Sequence, residues 1–299
     1  MNIVAGYVLF NPDIERFKEG LEIVLSQFER VIVFDNVGDQ EQLLCRYDRV
    51  TYLTEKANKG IAYGLNAIMT QARTNGYDWV VTLDQDTVIP HNTCVTFLKY
   101  INIKEVAIIS PQVIDKRRLY INPNKSVEDV IDIDFCITSA SCTNVAIWEK
   151  VGGFDDWLFI DFVDNDYCKR VKACGYRILQ IPSLIIDQEF GKIELKSPWK
   201  VKFYLWLSRI THNTNVAKLT YKKSVSPLRV YYVHRNLLYL NKKFKESGGI
   251  GYENFYCKSF WGFFLYFSLP SIVRGQEKIK IMKAVIKGLR DGYKSKVDD

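Results

Sequence analysis

Short apolar runs alternate with longer amphipathic segments over the first part of the chain. Continuous apolar runs of about four to eight residues are typical of strands buried on both faces of a parallel sheet. Between the runs, apolar side chains recur at helical spacing, as at Ile61, Leu65, Ile68 and Ala72. The predicted strands are 3–10, 30–34, 50–53, 79–83 and 106–109, and the predicted helices are 13–27 and 60–73.

This order of elements predicts an α/β fold with a mostly parallel central sheet and helices on both faces. In such sheets ligands bind outside the carboxyl ends of the strands. Polar side chains follow three strands at that edge, namely Asn11, Asp35 with Asn36, and Asp84 with Asp86. No glycine-rich dinucleotide motif or phosphate-loop lysine follows the first strand, so neither of those fingerprints is present.

The pattern changes near residue 192, where helical periodicity replaces the alternation. Breaks fall at 224–227 and at Gly248-Gly249. We therefore expect a first domain over 1–191 and a helical region over 192–299. The predicted helices of this region are 198–211, 227–245, 252–269 and 277–293.

Charge divides at the same place. Residues 1–191 hold 19 Lys and Arg against 27 Asp and Glu, whereas residues 192–299 hold 22 against 7. The net charge of +7 thus combines an acidic front half with a basic tail, which indicates two different tasks. No nucleic-acid motif accompanies the tail, and the acidic half argues against one basic face, so we expect no nucleic-acid partner.

The cysteine pattern and the hydropathy argue against a disulfide-rich, zinc-binding, membrane-spanning or exported protein. The seven cysteines form no Cys-x-x-Cys pair, which argues against a disulfide framework or a zinc site. The longest apolar run, 260–273, contains Pro270 and is shorter than the about 20 residues that a spanning helix needs. The first strand lacks the basic leader of a signal peptide. We expect a cytoplasmic protein without a spanning segment.

The sharpest chemical signal is Asp84-Gln85-Asp86, which follows the apolar strand 79–83. Two carboxylates this close are costly unless a cation or a hydrogen-bond network neutralises them. Carboxylate oxygens suit Mg²⁺ or Mn²⁺, which typically bind through one or two carboxylates plus substrate phosphates. The plainer interpretation is a solvated turn with two exposed acids.

A second acidic segment lies ahead of a helix predicted to run to Gly175. It places Asp161, Asp164 and Asp166 among the aromatic residues Phe159 and Phe162. Helix capping explains one acid at such a position. An apolar wall beside a carboxylate raises its pKa, and a raised pKa makes a usable general base.

Two glycine-containing segments complete the candidate site. Gly152-Gly153 precedes Phe154-Asp155-Asp156, which is typical of a tight loop closing over a site or of a plain turn. Asn58-Lys59-Gly60 lies at the start of the helix 60–73. This segment is equally consistent with an anion-binding site at the helix N-terminus and with Asn58 as a simple N-cap. The three histidines are scattered without metal-ligand spacing, and no nucleophilic-serine elbow occurs.

Taken together, these motifs resemble family 2 of the inverting glycosyltransferases, and within it the rhamnosyltransferase-like bacterial enzymes. The resemblance covers about residues 1–191 closely and the tail more loosely. The matching segments are 10–12, 33–36, 58–62 with Asn66, 83–87, 151–155, 161–166 with Arg170, 235–239 and 288–292.

The resemblance implies a GT-A fold, a nucleotide-diphosphate sugar donor and a divalent metal, Mg²⁺ or Mn²⁺. It places Asp86 on the metal and makes Asp164 the base that deprotonates the acceptor hydroxyl. Residues 1–191 would then be the catalytic domain. On the donor side the resemblance places Phe10, Asn11, Asp35, Asn58, Gly60, Asp84, Gln85 and Asp86, and on the acceptor side Asp155, Asp161, Asp166 and Arg235.

One position departs from the family pattern. The family often has a histidine three residues before the glycine that follows the last strand, and here Gln188 stands at that position before Gly191. Amide oxygen is a poor ligand for a hard divalent metal, so the second protein ligand stays open. Asp187 and Glu189 are the alternatives.

The resemblance favours L-rhamnose from dTDP-rhamnose, moved to a saccharide or lipid-linked acceptor in bacterial cell-surface polysaccharide synthesis. A galactofuranosyl- or glucosyltransferase using a UDP-sugar is the alternative on the same fold. A metal-dependent nucleotidyltransferase also uses paired acids. A nucleotidyltransferase of this kind requires a glycine-rich, basic phosphate loop after the first strand, and the sequence there is Asn11-Pro12-Asp13.

The tail predicts contact with an anionic membrane surface. Seven cations from Lys278 to Lys296 punctuate the apolar set Ile279, Ile281, Met282, Val285, Ile286 and Leu289. Such a helix can lie on an anionic membrane surface. The alternative is a solvated basic helix that covers the catalytic domain. The aromatic-rich run 260–267 offers a further partner surface. We expect a peripheral protein on the inner face of the cell membrane.

Overall fold

The computed structural model describes residues 2–118, 126–188, 193–252 and 255–297. The chain forms two compact units. The first comprises Met1–Ile114 with Pro123–Gln188, and the second Asp115–Asn122 with Glu189–Asp299.

The first unit is built on an eight-stranded mixed sheet in the order β3-β2-β1-β4-β7-β5-β8-β6. Strands β3, β2, β1 and β4 run parallel, as do β5 and β8, whereas β7 and β6 are antiparallel to their neighbours. The predicted α/β fold with a mostly parallel sheet is confirmed. The strands are β1 (Ile3–Leu9), β2 (Val31–Asp35), β3 (Val50–Thr54), β4 (Trp79–Asp84), β5 (Val106–Ile114), β6 (Ile131–Ile133), β7 (Ser141–Asn144) and β8 (Arg177–Asp187).

Helices follow the strands as the apolar periodicity predicts. The first helix starts where Asp13 accepts a hydrogen bond from the backbone N–H of Arg16, a common N-cap. Asn144 caps the fifth in the same way, and Gly152 ends it in the left-handed conformation. The helices are α1 (Ile14–Leu25), α2 (Glu41–Leu44), α3 (Ile61–Thr74), α4 (Thr93–Leu98), α5 (Val145–Val151) and α6 (Val163–Ala173).

One hydrophobic core of this unit lies on one face of the sheet, where Phe17, Leu21 and Phe97 pack against strand residues such as Tyr7 and Trp79. All five side chains are essentially inaccessible to solvent. Full burial of each large apolar side chain is worth about 1.5–3 kcal/mol. This packing holds the strands whose carboxyl ends carry the acidic motifs.

The second unit is helical apart from one antiparallel pair of short strands. Its longest helices, α9 and α12, pack side by side through glycines. A Cβ on Gly288 would lie 2.5 Å from the carbonyl oxygen of Tyr231, and one on Gly292 2.5 Å from that of Arg235. The elements are β9 (Ile193–Leu195), α7 (Pro198–Thr211), α8 (Thr214–Ala217), β10 (Tyr221–Lys223), α9 (Pro227–Lys243), α10 (Phe260–Phe263), a π-helical segment (Phe264–Ser268), α11 (Leu269–Arg274) and α12 (Lys278–Lys294).

The helix predicted over 252–269 is wrong in its bounds. Helix α10 begins at Phe260, where the hydroxyl of Ser259 accepts from the backbone N–H of Gly262. The backbone then continues through the π-helical segment and Pro270 to Arg274. Proline is tolerated in the first turn of α11 because its missing N–H is not needed there. Within the described residues, no helix is long and apolar enough to span a membrane.

Candidate functional site

Strand register brings the predicted donor-side residues to one edge of the sheet. Leu9 pairs with Asp35 and Val8 with Asp84, so Phe10, Asp35 and Asp84 follow three adjacent strands at the same level. Asn11 has a positive φ of 47°, a conformation in which asparagine is enriched. The chain therefore turns sharply directly beside the carboxyl ends of β1, β2 and β4.

Asp35 is fully buried and anchors the turn after β2. Its carboxylate accepts hydrogen bonds from the backbone N–H groups of Val37 (2.9 Å) and Gln40 (3.0 Å) and from the hydroxyl of Tyr52 (3.0 Å). Burial, followed by this hydrogen bond to Asp35, raises the pKa of Tyr52, which therefore stays a donor. Asp35 is thus held in one orientation by three donors.

Asn58 and Gly60 lie at the start of α3, where two neighbours fix the chain. The Asn58 side chain accepts from the backbone N–H of Gly60 (3.1 Å), and that of Asn36 accepts from Lys59 (2.9 Å). Gly60 has a φ of 89°, and a Cβ there would lie 2.5 Å from the carbonyl oxygen of Phe159. Glycine is therefore required, because the start of α3 touches the loop that leads into α6.

The Asp84-Gln85-Asp86 turn is held by contacts to three separate segments. Asp84 Oδ2 accepts from Gln188 Nε2 at 2.9 Å. Gln85 Oε1 accepts from the backbone N–H of Phe10 at 2.7 Å. The carbonyl of Asp86 accepts from Arg16 Nε at 3.0 Å. These bonds leave the Asp86 carboxylate half-buried at the sheet edge.

Asp164 occupies the first turn of α6, behind a strained entry. Asp161 and Phe162 both adopt left-handed φ values, 65° and 69°, which cost of order 1–3 kcal/mol each in non-glycine residues. Asp164 Oδ1 accepts from the backbone N–H of Asn165 at 2.9 Å. Such strain is tolerated where surrounding structure over-determines the backbone, and it concentrates at functional sites.

The pKa of Asp164 is raised to about 7, first by burial and further by the negative charges of Asp161 and Asp84. The hydrogen bond from the Asn165 backbone opposes this rise. The repulsion from Asp84 shows that the fold brings the two acidic motifs, 80 positions apart in the sequence, into one electrostatic environment. At neutral pH the Asp164 carboxyl is therefore poised to gain or lose a proton.

Asp166, two positions further on, is fully buried and paired with Arg170. Arg170 donates to Asp166 Oδ2 from Nε (2.9 Å) and Nη2 (2.6 Å), and its guanidinium also binds the carbonyls of Val151 and Gly153. The pair fastens the glycine turn to α6. The acceptor-side role of Asp166 stays a prediction, because the structure shows its carboxylate paired with Arg170.

Asp155 and Asp156 lie on a loop that Asn66 of α3 holds. Asn66 Nδ2 donates to the carbonyl of Phe154 (2.8 Å) and to Asp156 Oδ1 (2.7 Å). Asp155 Oδ1 accepts from the backbone N–H of Trp157 at 3.0 Å. The half-buried Asp155 side chain thus belongs to the same loop as Phe159 and Asp161.

Arg235 lies on α9 of the second unit. Its guanidinium stacks over the ring of Tyr232 at 4.6 Å, and Nε donates to Asn236 Oδ1 at 2.8 Å. Burial lowers its pKa, but an arginine remains charged throughout the physiological range.

The donor set at the sheet edge fits a divalent cation that substrate completes. Among the described residues, no group of three or more His, Cys, Asp or Glu gathers into a full cage. Asp84 and Asp86 offer the one or two carboxylates that Mg²⁺ uses together with phosphate oxygens. Gln188 Oε1 is buried without a hydrogen-bond partner in the described chain. Asp187 is exposed, and Glu189 lies outside the described residues.

The sequence patterns did not predict that Ser139 lies beside Asp84. Ser139 Oγ accepts from the backbone N–H of Asp84 (3.3 Å) and lies 2.7 Å from Thr87 Oγ1. Ser139 precedes β7, the antiparallel strand that the apolar pattern did not indicate. Without β7 in the predicted sheet, no local signal placed Ser139 at this edge.

Comparison with known proteins agrees with this arrangement. Residues 10–142 match the family model described as glycosyl transferase family 2. The chain is 23% identical over 211 residues to the dTDP-rhamnosyl transferase RfbF of Shigella flexneri, covering 65% of this chain and 71% of RfbF. It is 22% identical over 189 residues to the rhamnosyltransferase WbbL of Escherichia coli strain K12, covering 52% of this chain and 70% of WbbL.

The fold is also similar to a solved structure, the mannosyltransferase PcManGT from Pyrobaculum calidifontis in complex with GDP-Man and Mn²⁺. The TM-score is 0.53 at 13% identity, over 99% of this chain and 76% of PcManGT. At this identity the likeness concerns the fold. The family match over residues 10–142, the two relatives and the GT-A fold together support a family 2 glycosyltransferase that is similar to rhamnosyltransferases.

Proposed function

We propose that the chain is an inverting transferase that moves L-rhamnose from dTDP-rhamnose to a saccharide or lipid-linked acceptor in cell-surface polysaccharide synthesis. The acceptor oxygen attacks the anomeric carbon while the bond from that carbon to the diphosphate breaks. The acceptor proton passes to Asp164, and the nucleoside diphosphate leaves with the electron pair. One displacement inverts the anomeric centre without a covalent enzyme intermediate.

The observation that carries this proposal is the position and pKa of Asp164. A general base works best when its pKa lies near the working pH, and burial with two like charges raises this one to about 7. The carboxyl sits in the electrostatic field of Asp84, the residue proposed to contact donor ribose or sugar. Asp161 is half-buried on the strained entry, and Asp166 is committed to Arg170. Asp164 is therefore the acid best suited to take the proton.

We assign the donor to the edge formed by the ends of β1, β2 and β4. Asp35 and Asn11 contact the nucleoside, and Phe10, Asn58, Gly60 and Gln85 shape the walls around it. Their backbone is fixed by the hydrogen bonds to Asn36, Asn58 and Gln85. A fixed site reduces the entropy lost when donor and acceptor are brought together.

Asp86, with Asp84 beside it, would hold Mg²⁺ or Mn²⁺. A divalent cation bound there neutralises charge on the diphosphate. Gln188 positions Asp84 through its amide N–H. On the acceptor side we propose Asp155, Asp161 and Arg235, with Asp166 acting through Arg170 and the glycine turn.

The second unit supplies the proposed membrane side. The basic helix α12 lies against an anionic membrane surface, on the cytoplasmic side where nucleotide-sugars are available. Near-surface cations contribute about 1 kcal/mol each to such binding. A lipid-linked acceptor would then be presented in the plane where the enzyme resides.

The test is Asp164→Asn in a donor-turnover assay with dTDP-rhamnose, UDP-galactofuranose and UDP-glucose. We expect kcat to fall by about 10²–10⁴-fold, the usual contribution of a general base. Binding of the nucleoside diphosphate, measured by calorimetry, should persist because the carboxyl does not hold the donor. Asp161→Asn is the matched control and should lose much less kcat.

Three results would count against parts of the proposal. Wild-type turnover by Asp164→Asn would remove the base. Preference for a UDP-sugar would keep the mechanism and replace rhamnose with galactofuranose or glucose. Release of pyrophosphate rather than a nucleoside diphosphate would instead favour a nucleotidyltransferase.

A further inference from the structure

Helix α7 presents an exposed apolar face. Trp199, Phe203, Trp206 and Ile210 are 49% to 67% exposed, although large apolar side chains of this kind are usually buried. Their spacing of four, three and four residues places them on one side of the helix. None of the described α7 residues is fully buried.

The surroundings of this face are strongly cationic. From residue 195 to residue 245 the sequence contains 12 Lys and Arg and no Asp or Glu. Three of these cations, Lys200, Lys202 and Arg209, lie on α7 itself and are exposed. Lys200 Nζ lies 5.2 Å from the centre of the Trp199 ring, so charge and aromatic surface are directly adjacent. Aromatic residues flanked by cations are typical of helices that lie in a membrane interface.

A second exposed stripe lies next to α7 in the same unit. Trp261, Leu265, Leu269 and Val273 recur every four residues and are all exposed. Asn213, just beyond α7, donates from Nδ2 to the hydroxyl of Tyr266 at 3.2 Å, which ties the two segments together. The apolar surface of this unit therefore extends beyond one helix. Exposed apolar side chains that form two helical stripes in one unit, rather than occurring singly, indicate an interaction site.

Charge decides between a lipid surface and a second copy of the chain. A twofold dimer brings the same patch of both copies together, so the cations around α7 would face like charges. An anionic bilayer offers acyl chains to the aromatic face and phosphate groups to the lysines. Both chemical characters of the surface are then satisfied by one partner.

We propose that α7 lies in the interface of an anionic bilayer, with Trp199, Phe203, Trp206 and Ile210 inserted below the headgroups. This inference rests on the proposed membrane partner and extends it. The basic tail predicted surface attraction through α12, whereas the structure assigns insertion to α7. Electrostatic attraction by α12 and insertion by α7 are then separate contributions.

The test compares two double variants of the full chain in vesicle co-sedimentation. The vesicles are phosphatidylglycerol with phosphatidylethanolamine, or phosphatidylcholine alone. Phe203→Ser with Trp206→Ser should bind the anionic vesicles at least about tenfold more weakly, because two apolar side chains no longer leave water. The matched control removes two exposed apolar side chains from α4 of the first unit, Val95→Ser with Leu98→Ser, and should bind like wild type.

Insertion has its own readout in Trp199→Phe with Trp206→Phe. Phenylalanine keeps the face apolar, so this variant should still bind anionic vesicles. Brominated acyl chains should quench the fluorescence of the wild type more strongly than that of this variant, which lacks the two inserted indoles. Thermal unfolding of all variants establishes that they are folded.

Several outcomes would overturn the inference. Equal vesicle binding by wild type and the serine variant would remove α7 from the interface. Unchanged quenching in the phenylalanine variant would leave surface attraction without insertion. A wild type that binds no vesicle but forms a dimer, lost in the serine variant, would assign the face to a second copy. Donor turnover with a water-soluble acceptor, measured separately, tests the transferase itself.

Discussion

The two units expose opposite kinds of surface. Of the 22 large apolar side chains exposed among the described residues, 16 belong to the second unit, although it is the smaller one. In the first unit the chemically important groups are polar and held by hydrogen bonds, as at Asp35 and Asp84. The difference teaches that the two units are suited to different partners: the first presents polar atoms held in fixed positions, and the second presents uncovered apolar faces.

Removal of divalent metal should have the largest effect, and it should affect the proposed function of the first unit but not that of the second. We expect transfer activity to be lost in EDTA and restored by Mg²⁺ or Mn²⁺, because the proposed site uses Asp86 and the diphosphate together. Asp86→Ala should lose activity with its fold intact by circular dichroism. Vesicle binding should not change in EDTA, since the proposed membrane contact uses cations and aromatic rings of the second unit and no metal. Full activity in EDTA would contradict the metal role.

The buried ion pair of the first unit gives the next largest effect. Asp166→Asn should lower the free energy of unfolding by about 3–5 kcal/mol, because it leaves the Arg170 charge poorly compensated. Chemical denaturation monitored by tryptophan fluorescence measures the loss. Lys18→Ala disrupts the exposed pair with Glu15 and should change stability by less than about 1 kcal/mol. Similar losses in both variants would show that burial does not govern these pairs.

Helix α12 tests the comparison inside the second unit. Ile281 is fully buried against α9, while Ile286 is 61% exposed. Ile281→Ala should cost about 2–5 kcal/mol through lost contacts and a cavity. Ile286→Ala should stay within about 0.5 kcal/mol, as surface substitutions usually do. Urea denaturation of the two variants measures the difference, and a large loss at Ile286 would mean that its face is covered.

The smallest expected effect is a pH-dependent stability change at Asp164. Its pKa in the folded chain, about 7, exceeds the ordinary value, so the stability that the protonated carboxyl contributes near pH 4 is lost as the pH rises through about 7. Asp164→Asn cannot ionise. It should therefore melt a few degrees above wild type at pH 8, with the difference shrinking toward pH 4. Thermal melts at the two pH values measure this, and a gap that widens on acidification would contradict the raised pKa.

The same titration predicts the pH dependence of activity. The base must be ionised to accept the acceptor proton, so kcat should rise with pH through about 7 and level above it. Asp161→Asn removes one of the charges that raises the Asp164 pKa, so its profile should shift to lower pH. Initial rates from pH 5 to pH 9 measure both. A profile that is flat through this range would exclude titration of the base.

Continuous apolar runs identified the parallel strands β1 to β5, because burial on both faces leaves few polar positions. They did not identify β8, whose sequence is interrupted by Gln180, Pro182 and Ser183. The antiparallel strand β7 reads Ser141-Cys142-Thr143-Asn144 and carries no such run. It is inserted between β4 and β5 by tertiary pairing alone. The three-residue strands β9 and β10 are likewise too short to give a pattern. Helix α7 matched its predicted bounds because Pro198 and the break after Thr211 delimit it.

At the candidate site, the sequence predicted that acidic residues lie at the strand ends, but it did not predict the electrostatic repulsion between them. The Asp84 motif follows from a strand and its edge, whereas the repulsion between Asp84 and Asp164 depends on how α6 packs. The ion pair of Asp166 with Arg170 has the four-residue spacing of a helical pair, so it could have been predicted from the sequence. The positive φ of Phe162 has no local signal, because phenylalanine does not favour this conformation, whereas aspartate, as at Asp161, is enriched in it.

The glycine contacts between α9 and α12 determine which substitutions the tail can accept. At Gly288 and Gly292 the facing backbone lies so near that even one methyl group has no room. In a library of all single substitutions, these two positions should be as intolerant as a buried isoleucine. The exposed lysine positions of the helix should accept other residues without loss of stability, but their replacement should weaken binding to anionic vesicles. The sequence of α12 is therefore constrained in two ways, by packing against α9 at the glycines and by the proposed membrane contact at the lysines.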